Sequence, residues 1–183
     1  GLVGLGTGTL AAYARGGDYL RIYEINPDVE QLARKHFKYL DYCQGKVDIV
    51  MGDARLMMER EVAAGNTQKF DLLALDAFSS DAIPVHLLTR EAFQTYLRQI
   101  RDDGVIAVHI SNRYLDLRPV VERLAAEFGL STVCISEDSE ANWWVYATTW
   151  VLVSRDKTFL AAKDIAAAAD TAAGTKAGPL WTD

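Results

Sequence analysis

The sequence holds 183 residues, half of them hydrophobic, with a formal charge of −6, enough chain for one globular domain with its own core. The negative balance argues against a nucleic-acid or anionic-membrane surface, which would need net basic patches. No apolar run approaches the ~20 residues that cross a bilayer.

In chain order, residues 1–4 read as the tail of a strand and 8–15 (GTLAAYAR) as a short helix. A strand follows over 18–25, then a helix over 27–37 with proline in its first turn. Residues 46–52 form a strand, 53–63 a helix, and 69–78 (KFDLLALDAF) a near-continuous apolar strand. The stretch 89–100 is a helix opened by a capping threonine, with Ala92, Phe93, Tyr96, Leu97 and Ile100 at the helical period. Then come a buried strand (104–110), a helix ending on glycine (117–129), a strand (130–136) and a long returning strand (144–155). Residues 161–179 are alanine-biased, a surface helix and then a loose tail. Strands alternating with helices predict right-handed βαβ units and a mostly parallel sheet covered on both faces. The last two strands are joined without room for a helix, which predicts an antiparallel hairpin at one edge.

Ligands of an open α/β sheet bind beyond the carboxyl ends of its strands, beside the first strand. Those ends carry Gly4-Leu5-Gly6-Thr7-Gly8, then Glu24, then Gly52-Asp53-Ala54, then Asp76-Ala77-Phe78-Ser79-Ser80-Asp81. Taken singly, each has a plain structural explanation: a tight turn, a solvated strand end, a helix cap, a loop cap. Their placement together on one rim points to a binding site. The pattern is G-x-G-x-G, with Thr9 where a dinucleotide enzyme has its last glycine, and there is no P-loop lysine. Glu24, twenty residues past Gly4, suits hydrogen bonding to ribose hydroxyls. Carboxylates around one pocket would repel a pyrophosphate but attract a sulfonium nucleoside and an amine. At ~4 Å and an effective dielectric near 20, each such contact is worth roughly 4 kcal/mol before desolvation. The pocket therefore reads as one for S-adenosylmethionine or its decarboxylated form. The overall charge fits a cationic ligand, although surface solubility explains it more simply. Cys43 and Cys134 belong to no CxxC or Cys/His cluster and no two histidines have metal-ligand spacing. They read as buried thiols of a reducing compartment, and no metal is expected.

The stretches GDARLMMER, LDAFSSDAIPVHLLTREAF, DGVIAVHISNRYLDL and the final PLWTD resemble the spermidine synthase-like (polyamine aminopropyltransferase) family of class I S-adenosylmethionine-dependent transferases. Within it they look closest to the domain that in some bacterial proteins follows a membrane-embedded half. The resemblance covers nearly the whole chain; the central block is specific and the glycine turn generic. It implies a Rossmann-like class I methyltransferase fold, a seven-stranded sheet in the order 3-2-1-4-5-7-6 with the last strand antiparallel. It also implies that Glu24 holds the ribose, Asp53 and Ala54 the adenine edge, and Gly4, Gly6, Thr7 and Gly8 the methionine-derived tail. Asp76 matches the family's proton-accepting aspartate and Asp81 its polyamine-binding one. A positioned carboxylate makes chemical sense there, because a protonated amine must lose a proton before it can attack.

Departures from the family pattern set the alternatives. The family has an acid where Thr7 stands, so ordinary S-adenosylmethionine stays open beside the decarboxylated form. The two aspartates stand five residues apart where the family spaces them by three. The family's small N-terminal β-domain has no counterpart, so residues 1–183 are expected to be one transferase-like domain cut from a longer protein. That protein is expected to be cytoplasmic, tethered where a membrane-embedded half precedes this domain. Ser111, Asn112, Arg113 and Tyr114 follow the fifth strand on the same rim, with Asn112 a candidate for substrate contact. His86 could reach the pocket, His109 reads as a satisfied core histidine, and His36 ends a helix. Trp143 and Trp144 read as packing or a subunit contact, a homodimer being one expected assembly. Phe37, Tyr39 and Tyr42 read as core, or as a wall on the adenine side. The leading function is aminopropyl transfer to an amine such as putrescine, with Asp76 as base. The alternatives are an S-adenosylmethionine-dependent methyltransferase and a non-catalytic nucleoside-binding module of a membrane protein.

Overall fold

A computed structural model describes residues 1–78, 83–112, 115–137, 146–170 and 178–183. Its strands are β1 (Leu2–Val3), β2 (Tyr19–Glu24), β3 (Lys46–Met51), β4 (Phe70–Leu75), β5 (Ile100–His109), β6 (Ser131–Glu137) and β7 (Thr148–Ser154). They form one seven-stranded sheet in the order β3-β2-β1-β4-β5-β7-β6, as expected. The pairs from β3 through β5 are parallel, and β7 runs antiparallel to both β5 and β6. In β1, between β2 and β4, Leu2 stands beside Ile22 and Ala74, and Val3 beside Tyr23 and Leu75.

Strand alternation decides what each face buries. Val3, Tyr23 and Leu75 point into the main core with Met58, Phe93, Tyr96, Ile106 and Leu124. Leu5 and Ile22 point the other way, to a smaller cluster with Ala33, Leu40, Val47 and Ile49. The helices that cover these faces are α1 (Pro27–His36), α2 (Tyr39–Tyr42), α3 (Ala54–Ala63), α4 (Arg90–Gln99), α5 (Arg118–Glu127), α6 (Lys157–Leu160) and α7 (Lys163–Ala168). Most begin on a side-chain cap that satisfies an orphan amide. Asn26 accepts from Asp28 N at 2.9 Å, Asp53 from Leu56 N at 3.0 Å, and Thr89 from Ala92 N at 3.2 Å.

A polar knot ties β2 to α3 and α4. The two oxygens of Glu61 accept from Arg21 Nε (3.0 Å) and Nη2 (2.6 Å), and from Tyr23 Oη (2.8 Å) and Gln99 Nε2 (3.0 Å). Burial, then the Glu61 carboxylate, pushes the Tyr23 phenol far above its ordinary range, so it stays a donor. Both cysteines are free, and burial pushes the Cys134 thiol up to about 11.

The structure corrects two local expectations. Residues 8–15 make only a tight 3-10 turn over Thr9–Tyr13, because Gly8 before it is left-handed (φ +86°) and no side chain caps it. Strand β5 begins at Ile100, where the chain leaves α4 directly into extended backbone and pairs with Phe70. At the C-terminal end, Leu180 and Trp181 pack on the main core, and Trp181 O accepts from Arg90 N at 2.8 Å. Among the described residues no helix is long and apolar enough to cross a membrane.

Candidate active site

The site sits where β1 and β4 end side by side. Gly4 N donates to Tyr23 O at 2.9 Å, and the chain then turns with Gly4 at φ +96°. A Cβ on Gly4 would stand 2.4 Å from the carbonyl oxygen of Asp76, so only glycine fits this close approach. The next amide, Leu5 N, donates to Glu24 Oε2 at 2.9 Å, and Asn26 N donates to Oε1 at 2.9 Å. Two backbone amides thus hold the carboxylate of Glu24, which is 7 % exposed. Each oxygen keeps a second acceptor position. Gly6 has nothing within 4 Å of where a Cβ would stand, and Thr7 Oγ1 lies 2.8 Å from Thr9 Oγ1.

Beyond this bend lies a hollow of about 550 Å³ whose wall includes Gly4, Gly6, Glu24, Asp53, Ala54, Asp76, Phe78 and His86. That volume is typical of a small-molecule site. Three carboxylates line it and no lysine or arginine does, among the described residues. A second hollow of about 200 Å³ lies against residues 4–11, with Thr7, Gly8 and Asp76 on its wall. Gly4, Gly6 and Asp76 are shared by both. The sequence-based expectation that Glu24, Asp53 and Asp76 face one space is met in this geometry.

Asp53 does two jobs. One oxygen caps α3, and the other lies 2.9 Å from His86 Nε2. His86 is held in turn by its own carbonyl, which accepts from Arg55 Nη1 at 3.0 Å. The same guanidinium reaches Thr89 Oγ1 at 3.2 Å and both oxygens of Asp183. The Arg55 hydrogen bonds hold the Asp183 carboxyl at about 2, well below the usual carboxylate range.

Asp76 has a partner of its own. Its Oδ1 lies 2.7 Å from His109 Nδ1, and His109 Nε2 lies 2.8 Å from Ser111 Oγ and 3.0 Å from Thr148 Oγ1. His109 is therefore not simply a core histidine, as the sequence suggests. Asn112 lines another hollow with Ser111, Asp116 and Thr149, and its Oδ1 accepts from Leu115 N at 3.1 Å. Phe37, Tyr39 and Tyr42 neither pack in the core nor line the site; they are exposed, Tyr42 by 70 %. Asp81, Arg113, Tyr114, Trp143 and Trp144 lie outside the described residues. Among the described residues no group of His, Cys, Asp and Glu is arranged to hold a metal ion.

Comparison with known proteins gives this site a context. A polyamine aminopropyltransferase of Vibrio vulnificus is 32 % identical over 111 residues, 59 % of this chain and 36 % of that protein. The spermidine synthase of Thermotoga maritima superposes with a TM-score of 0.60 at 17 % identity, covering 84 % of this chain and 52 % of that one. Over 59 % of its length the chain is similar in sequence to the aminopropyltransferase, and its fold is similar to that of the spermidine synthase. A spermidine synthase in complex with the transition-state analogue AdoDATO superposes equally well, at 16 % identity over 84 % of this chain and 51 % of that one. An N-terminal histidine N-methyltransferase of Emericella nidulans is 33 % identical over 109 residues, 59 % of this chain and 19 % of that protein. No family model matches the chain. The chain thus spans little more than a third of the aminopropyltransferase and about half of the solved synthases. Its seven-stranded sheet is that of the class I methyltransferase fold.

Proposed function

We propose that this chain carries the nucleoside-binding and catalytic part of a transferase that moves an aminopropyl group from decarboxylated S-adenosylmethionine to an amine such as putrescine. The observation that carries the reading is Asp76, standing where the two hollows meet in a wall with three carboxylates and, among the described residues, no lysine or arginine. A sulfonium nucleoside and a protonated amine both gain from such a wall, and a phosphate would be repelled. The residues present fit that nucleoside. Glu24 keeps acceptor positions for ribose hydroxyls, Asp53 and Ala54 flank the space for the base, and the bare Gly6 leaves room for the tail. The sulfonium supplies an activated carbon with a good leaving group already attached. Asp76 orients the amine, accepts its proton and keeps the nitrogen in place for attack. Asp81 is the proposed second carboxylate for the far end of the amine.

The loop itself favours a second reading. Thr7 and Thr9 put paired hydroxyls where an acid would grip the amino group of a decarboxylated tail, and hydroxyls tolerate a carboxylate equally well. Ordinary S-adenosylmethionine, and hence methyl transfer, is the alternative. Calorimetric titration with both nucleosides, followed by transfer assays with putrescine on the longest form of the protein, separates the two. Asp76→Asn is expected to keep nucleoside binding while turnover falls roughly 10²–10⁴-fold. Thr7→Asp is expected to shift preference toward the decarboxylated form. Binding without turnover of any amine would favour a regulatory nucleoside-binding module, and failure of both nucleosides to bind would end all three readings.

A further inference from the structure

We infer that His109 is a positioning residue for Asp76, an inference that rests on Asp76 acting as the base. An ionised carboxylate only accepts hydrogen bonds, so the 2.7 Å contact to Asp76 Oδ1 requires the proton on His109 Nδ1. The opposite edge of the ring fits that tautomer. Ser111 Oγ already accepts from Thr149 N at 2.8 Å, and Thr148 Oγ1 from Trp150 Nε1 at 3.0 Å. Both hydroxyls therefore have their own protons to turn toward Nε2, at 2.8 and 3.0 Å, which is then the acceptor. The ring cannot easily swing away. Trp150 stacks on it at 4.5 Å and 5° between planes, and Phe78 meets its edge at 4.7 Å.

The consequence falls on Asp76. One carboxylate oxygen is fixed by a neutral donor, which leaves Oδ2 for the amine. A lysine or arginine in the same place would fix the carboxylate too, but an opposite charge at that distance would depress its basicity by one to three pH units or so. A neutral imidazole aims the carboxylate and leaves it a usable base. Phe78 is on the wall of the larger hollow, so the same clamp that holds the histidine also shapes the space the amine enters.

The test pairs two substitutions with a measurement on the unmutated protein. His109→Leu removes the donor at similar volume. His109→Asn puts an amide nitrogen near the position of Nδ1. His109→Leu is expected to lower kcat for amine transfer roughly 10–100-fold, the range for lost outer-shell partners. KM and Kd for the nucleoside should stay within about twofold, and His109→Asn should recover most of the loss. Full activity in both variants, or equal losses accompanied by loss of nucleoside binding, would overturn the inference. Nitrogen-15 NMR of the unmutated protein at neutral pH is expected to show His109 protonated on Nδ1, with that resonance moving in Asp76→Asn. The Nε2-protonated tautomer would overturn the inference whatever the activity. Absence of turnover in the unmutated protein, with the Nδ1 tautomer present, would sink the base role of Asp76 and leave the Asp76–His109 pairing standing.

Discussion

Replacing Gly4 by alanine would set a methyl carbon 2.4 Å from the carbonyl oxygen of Asp76, 3.0 Å from its carbonyl carbon and 3.3 Å from Ala77 Cα. All three are backbone atoms, so nothing can rotate out of the way. Positive φ costs a non-glycine residue roughly 1–2 kcal/mol, and forcing apart a packed contact adds about 1–3 kcal/mol. The expected loss is about 2–5 kcal/mol, or roughly 4–20 °C in Tm for a chain of this size. Gly6 is the internal control. Its φ is +52°, close to the ideal left-handed region, and no atom lies within 4 Å of the new carbon. Gly6→Ala should therefore cost only about 1 kcal/mol, or roughly 2–4 °C. Its methyl group would stand in the hollow, so nucleoside binding should weaken more than stability. Urea unfolding with linear extrapolation measures the first quantity and calorimetry the second. Equal destabilisation by the two substitutions would mean that the β1 and β4 ends do not press together as described, and the placement of Asp76 would lose its foundation.

Other outcomes follow from the same physical chemistry. Glu61→Ala takes the shared acceptor from Tyr23, from two nitrogens of Arg21 and from the fully buried Gln99, while Arg21 keeps Asp48 and Gln99 keeps Met58 O, so it is expected to cost about 1–3 kcal/mol in urea unfolding; a loss below about 0.5 kcal/mol would contradict the knot. Asp53→Asn should keep the α3 cap and leave stability nearly unchanged, whereas Asp53→Ala should cost about 1 kcal/mol; both should loosen His86, visible in the chemical shifts and line widths of its ring resonances. Because Arg55 holds Asp183 at about 2, the contact contributes above the ordinary carboxylate range and fades as pH falls through roughly 4 to 2. Trp181 fluorescence, read as the difference from Trp181→Phe, should report release of the terminal segment in that window, and Asp183→Asn should abolish the pH dependence.

Much of this was legible in the residues. Apolar runs such as 104–110, punctuated by glycine and capped helices, announced the strands and their connections. Gly4, Glu24, Asp53 and Asp76 announced the rim, because carboxyl ends of parallel strands share one edge. What escaped was side-chain pairing across strands. The register that sets Leu75 beside Val108 also sets Asp76 beside His109, so aligning the apolar tails of β4 and β5 would have found the pair. The Arg55–Asp183 contact spans 128 residues and leaves no local pattern to read.

Strand β1 has a mechanical consequence. It joins the β3-β2 half of the sheet to the half that starts at β4. Glu24 rides on one half and Asp76 on the other. A bound molecule touching both would act as a staple across the two halves of the sheet, and amide hydrogen exchange at Gly4 and Asp76 should slow more than anywhere else when it binds.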